Sequence, residues 1–243
     1  APYVGEAAFS HKGGLHVSAV QKDPRTYEHI QPETVGNNRR IVVSDQAGRS
    51  NIMARLLEAG IDIDSNDKRV ARIVENVKER EYQGYSYDGA EASFELLARR
   101  AIGNFPNFFD VKSFRTEVER RYNARGELTT VSQAVIKIDI LGSLTMQVAE
   151  GNGPVNALDA ALRESLLPMF PALKPMRLVD FKVRILTPQQ ATAAVTRVMI
   201  ESTDEKGDRW GTVGISPNII DAAFEALNDA IIFKLLKSQS DKM

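Results

Sequence analysis

The chain has 243 residues, of which 43% are hydrophobic and 26% are charged, and this balance predicts one or two packed globular domains. The formal net charge of −1 argues against a nucleic-acid-binding or membrane-surface protein, and no apolar run is long enough to span a bilayer. Cysteine is absent, which excludes disulfides and thiolate metal sites and is compatible with a reducing cytoplasm. No signal-peptide pattern opens the chain. It begins with Ala1 and not with Met, which favours a fragment of a longer protein, with removal of an initiator Met as the alternative.

The three histidines of the chain, His11, His16 and His29, lie close together near its start. Gly13 and Gly14 separate the first two, and adjacent glycines allow a tight turn that would let both imidazoles face one space. Histidine is the side chain that moves a proton most readily at neutral pH. The segment is therefore a candidate catalytic site, and the alternative is that these are ordinary surface histidines. No other part of the sequence offers a metal-ligand or nucleophile–base pattern.

Proline and glycine interrupt residues 1–48, which predict short elements only. Residues 22–27 predict a turn. Residues 27–32 predict an extended piece, because a residue that precedes proline avoids the helical region. Residues 39–44 predict a strand that begins with two arginines, which would either bind an anionic substrate or form a solvated basic pair.

Three amphipathic helices are predicted between residues 50 and 103. The first would be capped by Ser50 and would end at Gly60, and the second would be capped by Asn66. The third would start at Asp88, with Glu91 completing a capping box.

Apolar residues at helical spacing define one face of each of these helices, and glycine and proline then mark a domain boundary at residues 103–107. The faces comprise Ile52, Met53, Leu56 and Leu57; Val70, Ile73, Val74 and Val77; and Phe94, Leu97, Ala98 and Ala101.

Beyond residue 107 the apolar pattern changes to a period of two, which predicts strands. Three alternating segments precede a predicted helix, and three more precede a second one. The first group comprises Phe114, Val118 and Tyr122; Ala134, Ile136, Ile138 and Ile140; Leu144, Met146 and Val148; and the helical Leu158, Ala161 and Leu162. The second comprises Val179, Phe181, Val183 and Ile185; Ala194, Thr196, Val198 and Ile200; Trp210 to Val213; and the helical Ile220, Phe224, Leu227 and Ile231.

The sequence repeats itself across these two groups. Gly-x-x-Pro occurs at Gly151 and again at Gly214, and the letters LDAAL at 158–162 match IDAAF at 220–224. Residues 107–237 therefore predict two βββα units that share a core, because one unit is too small to bury its own sheet face. Leftover sheet surface could pair with another subunit. The predicted fold class is α+β: small helical subdomains followed by a domain of two βββα repeats with pseudo-twofold symmetry.

Both predicted helices of the repeat would start with proline at the first helical position, where its missing N–H costs no hydrogen bond. The free amides of that turn and the helix dipole form a natural seat for a carboxylate. Gly151 and Gly153 would let a ligand approach the backbone. The alternative is an ordinary helix start.

Four stretches carry a family resemblance that covers essentially the whole chain. Residues 8–16 (AFSHKGGLH) and 26–36 (TYEHIQPETVG), supported by residues 150–158 (EGNGPVNAL) and 214–220 (GISPNII), resemble the α-isopropylmalate synthase family, which includes homocitrate and citramalate synthases. The resemblance implies three parts: a linker subdomain over 1–60, a helical subdomain over 61–106, and a C-terminal allosteric regulatory and dimerisation domain over 107–238.

Members of this family join acetyl-CoA to a 2-oxo acid by a Claisen-type condensation. Their catalytic (β/α)8 barrel, with its divalent metal, lies upstream of these motifs, so the resemblance implies no metal ligands, no cofactor and no activity in this chain alone. His16 and Tyr27 match linker residues that reach into the neighbouring subunit's barrel and assist the proton movements of condensation.

The details favour one branch of the family. Isopropylmalate synthases usually continue from the matching histidine with Gln-Asp-Gly, whereas this chain reads His16-Val17-Ser18. Residues 37–51 also resemble citramalate synthases, which use pyruvate and serve isoleucine biosynthesis. The alternatives are an isopropylmalate synthase with leucine feedback, or a free-standing amino-acid-binding dimerisation module.

The resemblance also implies a cytoplasmic homodimer that binds a branched-chain amino acid, isoleucine or leucine, at the dimer interface, with no nucleic acid or membrane partner. The matching positions at the first Gly-x-x-Pro turn are Gly151, Asn152, Gly153, Val155 and Asn156. Those that match an apolar pocket are Leu178, Phe181, Ile185 and Thr192, although the alternation of Phe181 and Ile185 is also typical of core residues.

Overall fold

The computed structural model describes residues 2–5, 8–11, 18–20, 22–41, 49–103 and 105–240. The chain divides into two compact units, Ala1–Phe105 and Pro106–Met243. Within the described residues, no helix has both the length and the apolar character that crossing a membrane requires.

The first unit is mostly helical. Among its described residues, a short parallel strand pair, β1 and β2, and two 3-10 turns precede the helices α1, α2 and α3, and residues 18–20 and 22 are also helical. The bounds are β1 Ser10–His11, turns Pro24–Thr26 and Pro32–Val35, β2 Arg40–Ile41, α1 Arg49–Glu58, α2 Lys68–Gln83 and α3 Glu91–Ile102. The predicted strand over 39–44 is thus seen as β2, and its last three residues lie outside the described part.

The helix starts differ from the predicted ones. Ser50 lies inside α1 rather than before it. The N-cap of α2 is Asp67, not Asn66: its carboxylate accepts the Arg69 N–H at 2.8 Å and binds the Arg69 guanidinium, which lowers the pKa of Asp67 to about 2. The capping box at Asp88 is wrong, because α3 begins at Glu91 with no side-chain cap.

The apolar faces of these helices are largely as predicted. Ile52 and Leu56 of α1 are fully buried, whereas Leu57 is 71% exposed and does not belong to the buried face. The remaining buried positions of the predicted faces are Val70, Ile73, Val77, Phe94, Leu97 and Ala98. Gly103, with φ +101°, ends α3 as predicted.

The second unit contains two antiparallel three-stranded sheets, in the orders β3-β4-β5 and β6-β7-β8, and two long helices. The bounds are β3 Phe109–Tyr122, β4 Leu128–Ile140, β5 Ser143–Gly151, α4 Pro154–Leu166, β6 Arg177–Ile185, β7 Thr196–Thr203, β8 Arg209–Ser216 and α5 Ile219–Ser240, with 3-10 turns at Pro171–Leu173 and Pro188–Ala193. This composition confirms the α+β class.

Each sheet buries one face under the helix that follows it. Ala134, Ile136 and Ile138 of β4 are fully buried, as the period-two pattern predicted, and so are Leu158 and Leu162 of α4. In the second sheet, the Thr212 hydroxyl donates to the Ala226 carbonyl of α5 at 2.8 Å, and the Trp210 indole donates to the Ala230 carbonyl at 3.3 Å. The two helices also contact each other.

Candidate functional site

The histidine segment is only partly described. His16, with Gly13 and Gly14, lies outside the described residues, so its geometry relative to Tyr27 stays a prediction. Tyr27 follows the Pro24–Thr26 turn, donates its N–H to the Pro24 carbonyl at 3.2 Å and is 46% exposed. Its backbone is therefore held in a turn while its ring meets solvent.

A buried carboxylate follows Tyr27 directly. Glu28, whose side chain is 3% exposed, binds Arg39 through two bonds of 2.7 and 2.6 Å and lies 3.0 Å from His11 Nε2. The Arg39 guanidinium holds the pKa of Glu28 below its ordinary value of 4.5, against the opposing effect of burial. This contact favours an intramolecular ion pair over both earlier interpretations of Arg39.

Sequence reasoning missed Glu28 because its partners lie 11 and 17 residues away along the chain. One signal was present: Arg39 lies among short elements that have little apolar surface, where a bidentate arginine–carboxylate pair is one way to order the chain. Nothing in the residue spacing says which of several glutamates that is.

The predicted effector seat lies where β5 ends and α4 begins. Gly153 is the N-cap in extended backbone, Pro154 is the first helical residue as predicted, and no side chain caps this turn. The Ala157 N–H binds the Gly153 carbonyl at 2.9 Å, which leaves the N–H groups of Val155 and Asn156 as the donors of the first turn. The Asn156 side chain turns back and accepts the Asn152 N–H at 3.0 Å.

The two glycines of this turn have different surroundings. A Cβ added to Gly151 would lie 2.5 Å from the Ala157 nitrogen, so close packing of strand on helix is by itself a reason for glycine there. A Cβ added to Gly153 would meet no atom within 4 Å. Of these two glycines, Gly153 is the one with open space beside it.

Because of a β-bulge between Leu178 and Asp180, three of the four residues of the predicted apolar pocket lie on one face of β6. Leu178 pairs with Ser202, and Phe181 pairs with Ile200 two residues away on β7, so both point to the same side, as does Ile185. Phe181 packs against the buried core cluster that Val155 also contacts. Leu178 and Ile185 are 41% and 57% exposed, and Thr192 is exposed in the Pro188–Ala193 turn.

The second Gly-x-x-Pro turn departs from its prediction. Helix α5 begins at Ile219, so Pro217 is not its first residue. Asn218 precedes the helix and its side chain accepts the Ile220 N–H at 2.9 Å, while Asp221 adds an acidic group to the first turn. A groove of about 460 Å³ lies between this helix start and β3. The first turn of α5 has a side-chain cap and an acidic residue, so it suits a carboxylate less well than the start of α4, although Lys112 and Arg115 also line the groove.

The second unit thus has an open helix start and exposed apolar residues on its strands. More than half of the chain, residues 88–235, matches the family model described as LeuA allosteric (dimerisation) domain. The chain belongs to this family. Residues 3–84 match a second model, described as homocitrate synthase post-HMGL domain-like.

Curated relatives confirm the resemblance seen in the sequence. The chain is 52% identical over 237 residues to an (R)-citramalate synthase of Geobacter sulfurreducens and 46% identical over 240 residues to one of Aquifex aeolicus. These matches cover 98% and 99% of this chain but 44% and 45% of the relatives. A probable 2-isopropylmalate synthase of Methanopyrus kandleri is 30% identical over 225 residues, covering 93% of this chain and 42% of the relative. The chain thus spans a little under half the length of the relatives that it matches.

Proposed function

We propose that this chain is the C-terminal regulatory portion of a cytoplasmic citramalate synthase and that its second unit binds isoleucine as a feedback inhibitor. The observation that carries the proposal is the 52% identity with an (R)-citramalate synthase across 98% of the chain. The whole protein would condense acetyl-CoA with pyruvate in a barrel outside this chain. A leucine-regulated 2-isopropylmalate synthase is the second candidate, supported by the match of 30% identity.

The residues of this chain would contribute proton movements rather than metal chemistry. The family's barrel holds a divalent metal, but the described residues contain no group of three His, Asp or Glu side chains that could hold one. His16 and Tyr27 would instead assist proton movement in a neighbouring subunit's barrel, as their match to the family's linker residues implies.

The proposed regulatory domain, residues 107–238, would be built from two βββα repeats with pseudo-twofold symmetry. Both first strands carry a bulge, between Val111 and Ser113 and between Leu178 and Asp180. The phenylalanine that follows each bulge, Phe114 or Phe181, pairs with an isoleucine of the next strand. Matching irregularities support a repeat more strongly than strand count does, because bulges are specific local features. The linker and helical parts would be residues 1–60 and 61–106.

The open start of α4 would hold the carboxylate of the effector. Its first turn has two N–H donors, no side-chain cap and no acidic residue, and the helix dipole favours an anion there. The apolar side chain of the effector would lie towards Val155 and Phe181, which pack on one core cluster. Binding would then bias the linker that carries His16 and Tyr27, which is a coupling free energy between two sites.

Thermal unfolding with isoleucine, leucine, valine or no addition tests the effector assignment. A ligand that binds only the folded state stabilises it by mass action and so raises the melting temperature. At a ligand concentration 100 times the dissociation constant, the free energy of unfolding rises by about 2.7 kcal/mol. We expect isoleucine to raise the melting temperature. The Gly153→Val variant should keep its fold, since its backbone is extended and a Cβ there meets nothing, and should lose the shift.

A shift with leucine alone would transfer the assignment to 2-isopropylmalate synthase. An isoleucine shift that persists in Gly153→Val would place the site elsewhere. No shift with any of the three amino acids would contradict effector binding by this chain.

One face of each sheet packs against a helix, but the helix leaves part of that face exposed. Dimerisation would use this exposed part. Val118 and Tyr122 of β3 pair with Ser132 and Leu128 of β4 and so continue the buried row of that sheet, yet they are 53% and 73% exposed. Val183 of β6 continues the buried row of the other sheet and is 45% exposed. A second copy that covers these residues would extend each core, and it would also cover Ile185 of the predicted pocket.

The Val118→Lys variant tests this surface. A lysine there would leave an uncompensated charge in the interface, and we expect sedimentation analysis to show monomers at concentrations where the unchanged chain is dimeric. Met146→Lys is the matched control, because Met146 is 66% exposed on the opposite face of the same sheet. Dissociation by Met146→Lys and not by Val118→Lys would move the interface to that opposite face.

A further inference from the structure

The buried carboxylate of Glu28 joins the two segments that carry the predicted proton-transfer residues. It lies 3.0 Å from His11, five residues before His16, and it follows Tyr27 in the chain. Arg39 binds both of its oxygens. Three separate stretches of the first unit therefore meet at one side chain.

We propose that Glu28 is a positioning residue, which fixes the backbone at Tyr27 relative to His11 and Arg39; this inference rests on the proposed function. Burial gives the contact its rigidity: the side chains of Glu28, His11 and Arg39 are 3%, 12% and 30% exposed. A bidentate arginine–carboxylate pair restricts both partners in orientation as well as in distance.

The backbone around Tyr27 is fixed on both sides. Before it, the Asp23 carboxylate accepts the Arg25 N–H at 3.1 Å and starts the Pro24–Thr26 turn. After it, Glu28 is held through its side chain, and the N–H groups of Tyr27 and Glu28 both donate to the Pro24 carbonyl, at 3.2 and 3.0 Å. Tyr27, a residue that is 46% exposed on so constrained a backbone, is suited to act on a group outside its own unit.

A positioning role differs from general acid–base chemistry at Glu28 itself. The carboxylate accepts bonds from Arg39 through both oxygens and its pKa lies below its ordinary value because of that contact. It therefore stays ionised near neutral pH and is poorly suited to deliver a proton. Its effect on the reaction has to pass through the residues that it holds.

The Glu28→Gln variant of the full-length protein tests the proposal by two measurements. Glutamine keeps the shape but loses the charge, so the bidentate pair weakens. We expect amide hydrogen exchange at Tyr27 and Glu28 to become roughly tenfold faster. We expect kcat for condensation of acetyl-CoA with pyruvate to fall by about 10- to 100-fold with KM little changed, because misplaced groups lower the rate of the chemical step.

Glu79→Gln is the control, since Glu79 is an exposed carboxylate on α2 of the same unit; it should change neither measurement. Arg39→Lys keeps the charge but loses the guanidinium group that binds both carboxylate oxygens at once, and it should lower kcat by less than Glu28→Gln. Unchanged exchange at Tyr27 in Glu28→Gln, or unchanged kcat per folded molecule, would overturn the positioning role. Absence of condensation by the unmodified full-length protein would instead overturn the proposed function.

Discussion

The Gly214→Ala variant is expected to lose about 3 kcal/mol of stability in the second unit, at the upper end of what overpacking typically costs. A Cβ at Gly214 would overlap the carbonyl oxygen of Ala222 and lie 2.8 Å from the Glu225 Cβ and 3.0 Å from the Ala226 nitrogen. Two of these three atoms belong to the backbone of α5, which cannot move aside as a flexible side chain can. The helix would have to separate from β8.

Trp210 provides the measurement. It is the single tryptophan of the chain, it is 2% exposed, and its indole donates to α5. Its fluorescence during urea unfolding therefore reports whether α5 still covers the second sheet. We expect the transition of Gly214→Ala to move to a much lower urea concentration.

Gly153→Ser is the control for this variant. It also adds a Cβ at the start of a long helix, but into open space, and serine is a favoured N-cap. Its stability should stay within about 0.5 kcal/mol of the unchanged chain. Equal transitions for Gly214→Ala and the unchanged chain would show that α5 does not lie against β8 as described.

Much of the second unit follows from the period of its apolar residues. Alternation identified the row Ala134, Ile136 and Ile138, which is fully buried, because one side of a sheet must face the core. The bulges in β3 and β6 could not be predicted, since a bulge is defined by two strands in register and neither strand contains that information alone. The bulge in β6 nevertheless decides that Leu178 and Phe181 share a face.

Helix starts were predicted less well, for a local reason. Asn66 and Asp67 are both good N-caps, and the sequence does not choose between them. The Arg69 side chain, which binds the Asp67 carboxylate, adds a reason for the second. At α5 the Gly-x-x-Pro letters match those of α4, but Asn218 supplies its own cap and the helix begins two residues after Pro217.

The candidate sites were likewise predictable only where the local sequence determines them. The Gly-x-x-Pro turn was found because its residue types have local meaning, and Pro154 does begin α4. Glu28 was not found because its importance comes from His11 and Arg39, which only the folded chain brings to it. The spacing of residues along the sequence gives almost no indication of a long-range ion pair of this kind.

Replacement of Lys234 by Met is the second large effect that we expect, a loss of about 3 kcal/mol. Lys234 is 5% exposed, and its Nζ lies 3.0 Å from Asp204 and 3.1 Å from Glu205. The Asp204 side chain is 1% exposed, so the variant would leave a buried carboxylate without its main cation. Lys237, 3.5 Å from the same oxygen, keeps the loss at the lower end of the range for broken buried pairs.

The pH dependence of this loss distinguishes charge from packing. Burial raises the pKa of Asp204, but the bonds from Lys234 and from the Lys206 N–H outweigh burial, and the pKa lies below its ordinary value of 3.8. A lowered folded-state pKa means that the stabilisation is full above the ordinary value and disappears as the pH falls through the folded one. The difference between Lys234→Met and the unchanged chain should therefore shrink below pH 3.8.

A double-mutant cycle with Asp204→Asn completes the test. Asparagine keeps an oxygen for the N–H groups of Lys206 and Asp208, which donate to Asp204 at 3.0 and 3.2 Å, but it carries no charge. The double variant should therefore be more stable than the sum of the two single losses predicts, by about 1 kcal/mol or more. Lys237→Met, with its side chain 27% exposed, should cost less than Lys234→Met. Additive losses, or a loss in Lys234→Met that is constant with pH, would show that the ion pair with Asp204 does not account for the stabilisation by Lys234.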